Sequence, residues 1–137
     1  MAAAVLVLAP AVAVAARPVR TYTGTTSADT EVVFRLSGGV VRGFAIGYVA
    51  ACDDGETLRG TYRFRPARVK QGRFAVKGPS SGGLPDGRAT ASMLRLRGLF
   101  AGRRASGAFS ITTQMARLDG TGVATCRSGR VTWKASR

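Results

Sequence analysis

Cys52 and Cys126 are the only thiols in a chain that contains no histidine. A cysteine acts as nucleophile or metal ligand through its thiolate, and an imidazole is its usual activating partner. Without histidine, neither a Cys-His pair nor a four-ligand zinc site can be assembled. Serine chemistry is left with Ser-Lys pairs, and Lys70, Lys77 and Lys134 show no motif spacing for one. Carboxylates are as sparse, comprising Asp29, Glu31, Asp53, Asp54, Glu56, Asp86 and Asp119. Glycoside hydrolysis needs two of them placed across a bond, and most of these fall where turns are predicted. Asp53, Asp54 and Glu56 could offer oxygens to calcium, but their spacing is not that of an EF-hand, so a solvated turn is expected. The expectation is a non-catalytic protein with no metal and no cofactor. A hydrolase without a recognisable motif is the weakest of the alternatives.

What remains for the cysteines is to pair with each other. Residues 1–16 form an uncharged apolar run ending in small residues, the pattern of a secretion signal cleaved after Ala15 or Ala16. No Lys or Arg precedes the run, a departure that points to a start further upstream. Arg17-Pro18 ends it short of the roughly 20 apolar residues a membrane span needs. The expected organisation is therefore a signal peptide over 1–16 and a secreted, extracellular β domain over 17–137, with no membrane span after cleavage. An oxidising compartment favours a Cys52–Cys126 disulfide.

Charge is the second chemical resource. The chain carries 21 Lys and Arg against 7 Asp and Glu, a net charge of +14. Lys70, Lys77 and Lys134 are its only lysines, which leaves 18 arginines. Arg59, Arg63 and Arg65, and again Arg95 and Arg97, alternate with apolar residues. That spacing puts their guanidinium forks on the wet face of a strand, where they can hold phosphate, sulfate or carboxylate bidentately. These five arginines are the candidate anion-binding residues, and an anionic polysaccharide or envelope polymer is the candidate partner. Specific nucleic-acid recognition is not expected, because the sequence lacks an RNP-type aromatic platform. The competing explanation is compositional. Ala, Gly and Arg enrichment with no Asn is what a GC-rich genome produces, and net charge alone speaks to solubility rather than to a site.

The elements that must position these residues read as short strands separated by turns. Val32, Phe34 and Leu36 share a face, as do Phe44, Ile46, Tyr48 and Cys52, and then Leu58, Gly60, Tyr62 and Phe64. Phe74 with Val76, Leu94 with Leu96 and Phe100, and Phe109 with Ile111 and Met115 mark further strands. Residues 78–88, rich in Gly and Pro, predict a mobile loop. Asp119-Gly120 predicts a turn, and Ser128-Gly129 a final hairpin whose outgoing strand holds Val131, Trp133 and Ala135. Eight or nine such strands imply a single-domain antiparallel β-sandwich or open barrel.

In four places a glycine stands two positions before an aromatic ring: Gly60/Tyr62, Gly72/Phe74, Gly98/Phe100 and Gly107/Phe109. The expected reason is that a ring from a neighbouring strand lies over the bare glycine backbone in a coiled sheet. Trp133, the only tryptophan, is expected in the core against the disulfide, with sugar stacking as its other use.

The segment from Thr125 to Arg137, with Cys126, Gly129, Val131, Trp133, Ala135 and Arg137 in place, resembles a group of small secreted actinobacterial proteins. They end in a Cys-x-Thr/Ser-Gly-x-Val-x-Trp-x-Ala-x-Arg pattern and carry an earlier cysteine before a turn, here Cys52-Asp-Asp-Gly55. The resemblance implies a disulfide-linked β-sandwich-like domain and brings no functional residue with it. Two roles follow from the whole sequence: a cell-envelope-associated module that binds anionic polymers through Arg-rich strand faces, or an assembly protein that contacts another protein through a sheet edge or apolar patch.

Overall fold

A computed structural model describes residues 9–11 and 18–137. The run read as a secretion signal lies mostly outside the described residues. Ten strands, and no helix among the described residues, follow in order: β1 (Arg20–Thr26), β2 (Glu31–Ser37), β3 (Val40–Cys52), β4 (Thr57–Arg63), β5 (Ala67–Arg68), β6 (Arg73–Gly83), β7 (Ala89–Ala101), β8 (Arg104–Ala116), β9 (Val123–Arg127) and β10 (Val131–Ser136). Six of them close a ring in the order β10-β1-β2-β3-β9-β8, with β8 returning to β10. β4 and β5 extend the ring from β3, and β7 followed by β6 extends it from β8. The all-β architecture agrees with the alternation in the sequence.

The apolar faces meet inside. Phe34 stacks between Tyr22 and Phe44, with ring centroids at 4.8 and 5.0 Å. Trp133 meets the edges of Phe34 and Phe44 at 5.9 and 5.3 Å. One residue of β3 breaks the alternation: Gly43, at φ 60°, forms a bulge opposite β2, so Val41 and Phe44 are both buried although three residues apart.

The glycines explain how the sheet bends. Phe74, Gly98, Gly107 and Trp133 lie side by side across β6, β7, β8 and β10, forming a row with a ring at each end and two bare residues between. A Cβ on Gly98 would meet the Phe74 ring at 2.2 Å, and one on Gly107 would meet the Arg97 carbonyl oxygen at 1.8 Å and the Trp133 ring at 2.8 Å. Rings thus occupy the space the missing side chains leave, as the sequence pattern implies. Tyr48 covers Gly60 in the same way. Gly72 is different: at φ 71° it serves a turn.

Three expectations are corrected. Residues 78–83 are not a loop but the continuation of β6, laddered to β7 as far as Gly83 and Ala89, so that only residues 84–88 turn. β6 is an edge strand with no fully buried residue at this end, where Gly78 and Ser80 are half-buried and Ser81–Gly83 exposed, so it needs no apolar alternation, and an edge is where a strand tolerates Pro79. Second, Ser128-Gly129 makes no hairpin. β9 and β10 both run antiparallel to β8, with Arg127 opposite Thr112 and Val131 opposite Phe109. They form one strand kinked at Gly129, whose φ is 65°. Ser128 ties the kink to β8: its N–H donates to the Ile111 carbonyl, and its Oγ accepts the Ile111 N–H. The kink lets the strand's other edge switch from β3 to β1.

The third correction follows from the second. Cys52 and Cys126 are bonded, directly opposed on β3 and β9. Trp133, however, lies in the aromatic cluster, whereas the disulfide belongs to a smaller one with Ala50, Leu58 and Met115. Because the strand runs straight on, seven residues at about 3.3 Å each separate the two, and the indole cannot fold back onto the bridge.

Candidate anion-binding face

β6, β7, β8 and β10 turn Phe74, Leu96, Phe109 and Trp133 inward, so their alternate residues must face out. The register sets these outward residues in three rungs: Lys77–Arg95–Ser110, Ala75–Arg97–Ala108–Thr132 and Arg73–Leu99–Ser106–Lys134. Arg130, just before β10, stands at the level of the first rung and joins Arg95 and Ser110 around one hollow. Along β8 the outward residues are therefore small, namely Ser110, Ala108 and Ser106. Long cations rise on either side of them, Arg95 and Arg97 from β7 and Arg130 and Lys134 from the C-terminal strand.

The result is an open trough of about 1130 Å³. Eight cations line it, including Arg65, Arg68 and Lys70 from the β4–β6 connection, and no carboxylate does. Hollows on both flanks extend it, one bounded by Arg95 and the other by Arg104. Among the described residues, the only salt bridges involve Arg88 and Arg117, neither of which lines the trough. Within it, Arg65 donates a hydrogen bond to the Lys77 carbonyl at 3.4 Å, tying the end of β4 to β6.

The five arginines singled out from sequence divide. Arg65, Arg95 and Arg97 belong to this face. Arg59 and Arg63 lie elsewhere, on the outer side of β4 beside Glu31 and Val33 of β2. Sequence reading missed Arg73, Lys77, Arg130 and Lys134. Their signal was present, since each occupies the phase opposite an inward residue, but only the strand order reveals that four separate strands form one face. Trp133 is 1% exposed and offers no stacking surface. Its indole Nε1 is the one buried side-chain N or O without a hydrogen-bond partner among the described residues, consistent with the rings packed around it.

The acidic residues gather elsewhere. Arg88, in the β6–β7 turn, donates to both oxygens of Glu56 at 2.7 and 3.1 Å, to Asp86 at 2.9 Å and to the Ala116 carbonyl at 2.9 Å. One guanidinium thus joins three turns at the same end of the barrel. The hydrogen bonds from Arg88 hold the Asp86 carboxyl below the usual carboxylate range, and those from Thr121 do the same for Asp119. Asp54 accepts the Glu56 N–H, and Asp53 accepts the Thr125 N–H. The three carboxylates near residue 54 are thus spent on different partners, and no group of three or more acidic, His or Cys side chains among the described residues could hold a metal ion. No described helix is long and apolar enough to cross a membrane. No family model and no curated protein matches the chain.

Proposed function

We propose that this chain is an exported, non-catalytic binding module, associated with the cell envelope, that holds an anionic glycan or polymer on the outer face of β6, β7, β8 and β10. The observation that carries this reading is the trough itself: eight cations from β6, β7, the C-terminal strand and the β4–β6 connection, no carboxylate, and no salt bridge using any of them up. A cationic surface produced by composition alone would scatter its few acids among its many cations. Here five of the seven acids occupy the turns at one end, around Arg88 and Arg117. The disulfide suits an oxidising location outside the cytoplasm. Against the assembly reading stands the composition of β6, the free edge of the extended sheet, which carries Pro79, Lys77 and Arg73, the devices that keep edge strands from pairing.

The test is retention on immobilised anionic cell-wall polymer. Binding is expected near 50 mM salt, with log K falling linearly in log salt. Failure to bind at low ionic strength would overturn the reading.

A further inference from the structure

We infer, building on the polyanion reading, that the ligand is a single base-free phosphodiester chain, of the polyol-phosphate kind, lying lengthwise along β8 between the cations of β7 and those of the C-terminal strand. β7 and β10 flank β8 at about 4.8 Å each, so the walls stand roughly 10 Å apart. That width admits one extended chain. The floor is made of Ser106, Ala108 and Ser110, so the backbone of a thin polymer can come down onto the sheet while the longer side chains close over it. Successive outward residues of a strand lie about 7 Å apart, which offers repeated charge at the spacing of one rung after another. Arg95 with Arg130, then Arg97, then Lys134 take up this sequence, and Arg104 waits at the far end.

What the trough lacks narrows the choice further. Nucleobases and pyranose rings gain most of their uncharged binding energy by lying flat on aromatic side chains. The aromatic residues on the strands beneath the trough, Phe74, Phe100, Phe109 and Trp133, all pack into the core, Phe74 and Trp133 lying over Gly98 and Gly107. Its outward residues are cations, Ala, Ser, Thr and Leu99. Guanidinium forks and two serine hydroxyls recognise phosphate oxygens and leave the rest of the polymer unread.

The test compares poly(glycerol phosphate), oligothymidylate and heparin at equal charge number on the full chain, followed by the fluorescence of Trp133, which lies beneath the trough. Poly(glycerol phosphate) is expected to bind tightest, and tighter binding of oligothymidylate or heparin overturns the inference. In a second arm, R95S/R97S/R130S is set against R42S/R59S/R63S, which removes the same charge from exposed positions of β3 and β4. The first variant should lose at least tenfold in affinity for poly(glycerol phosphate) and flatten the salt slope by about two, at roughly 0.7 per charge on a single strand. The second should lose threefold or less. Equal losses would remove the β8 groove but leave polyanion binding standing, whereas absence of binding by the unmodified chain would end both. The polymer comparison needs no substitution, so a folding defect in either variant does not rescue the inference.

Discussion

Arginine does two different jobs at opposite parts of this molecule. At the end where the β3–β4, β6–β7 and β8–β9 turns meet, Arg88 finds two carboxylates and a carbonyl and leaves little of its hydrogen-bonding capacity unused. On the face of β6, β7, β8 and β10, Arg73, Arg95, Arg97 and Arg130 find no carboxylate. The difference lies in the neighbours. Acids were placed in the turns, where Glu56, Asp86 and Asp53 each meet a cation, and kept off the strands of the trough. A cation that is already paired contributes to the fold, and one held unpaired on a rigid sheet stores attraction for something outside it.

The largest perturbation strikes the paired end. β3 and β9 share only two residue pairs, Ala51–Arg127 and Cys52–Cys126, so the ring's narrowest joint is the one the disulfide spans. Replacing both cysteines by alanine should lower stability by about 4 kcal/mol, the loop-closure entropy for a separation of 74 residues, as read from urea unfolding. A variant as stable as the oxidised protein would show that the strands alone hold this joint.

A smaller effect separates the two kinds of arginine. R88A should lower Tm and speed hydrogen exchange in residues 84–88 while leaving polyanion affinity unchanged. R97S should do the reverse, weakening polyanion retention and shifting stability by no more than about 0.5 kcal/mol, as is usual for an exposed strand position. If both variants changed the same property, the distinction between paired and free cations would collapse.

The smallest effect is in pH. Asp86 and Asp119 have carboxyl pKa values below those of the unfolded chain, so folding favours their charged forms. Their contribution is complete above the unfolded carboxylate value, near pH 4, and is lost as pH falls through the lower folded values. Stability at the turn end should therefore decline below about pH 4, with no step near pH 6 because the chain has no histidine. A Tm that stayed flat down to pH 2 would contradict this.

Much of the architecture could be read from alternation. Val32/Phe34, Phe44/Ile46 and Phe109/Ile111 all face the core, and a third of the face's cations were visible in Arg65, Arg95 and Arg97. Alternation fails where burial no longer enforces it, which is why the exposed end of β6 looked like a loop. It also fails at Ser128-Gly129, because a small residue followed by glycine at positive φ serves a hairpin and a kink equally well. Only the neighbours decide between these, and that decision governed everything about Trp133. The same limit applies to the trough: a strand's wet side is legible from its own residues, but which wet sides lie next to one another depends on pairings between distant segments.

The kinked strand also sets a schedule. β9 closes the ring against β3 and β10 closes it against β1, so no part of the circuit is complete until residues 123–136 have been made. Thr23 must wait for Ser136, and Cys52 for Cys126. Contacts between residues so distant in sequence form slowly, and until they do, β1, β3 and β8 each stand with an edge unpaired. The interval between the emergence of β8 and that of β10 is thus the period in which this chain is most exposed to pairing with the wrong strand.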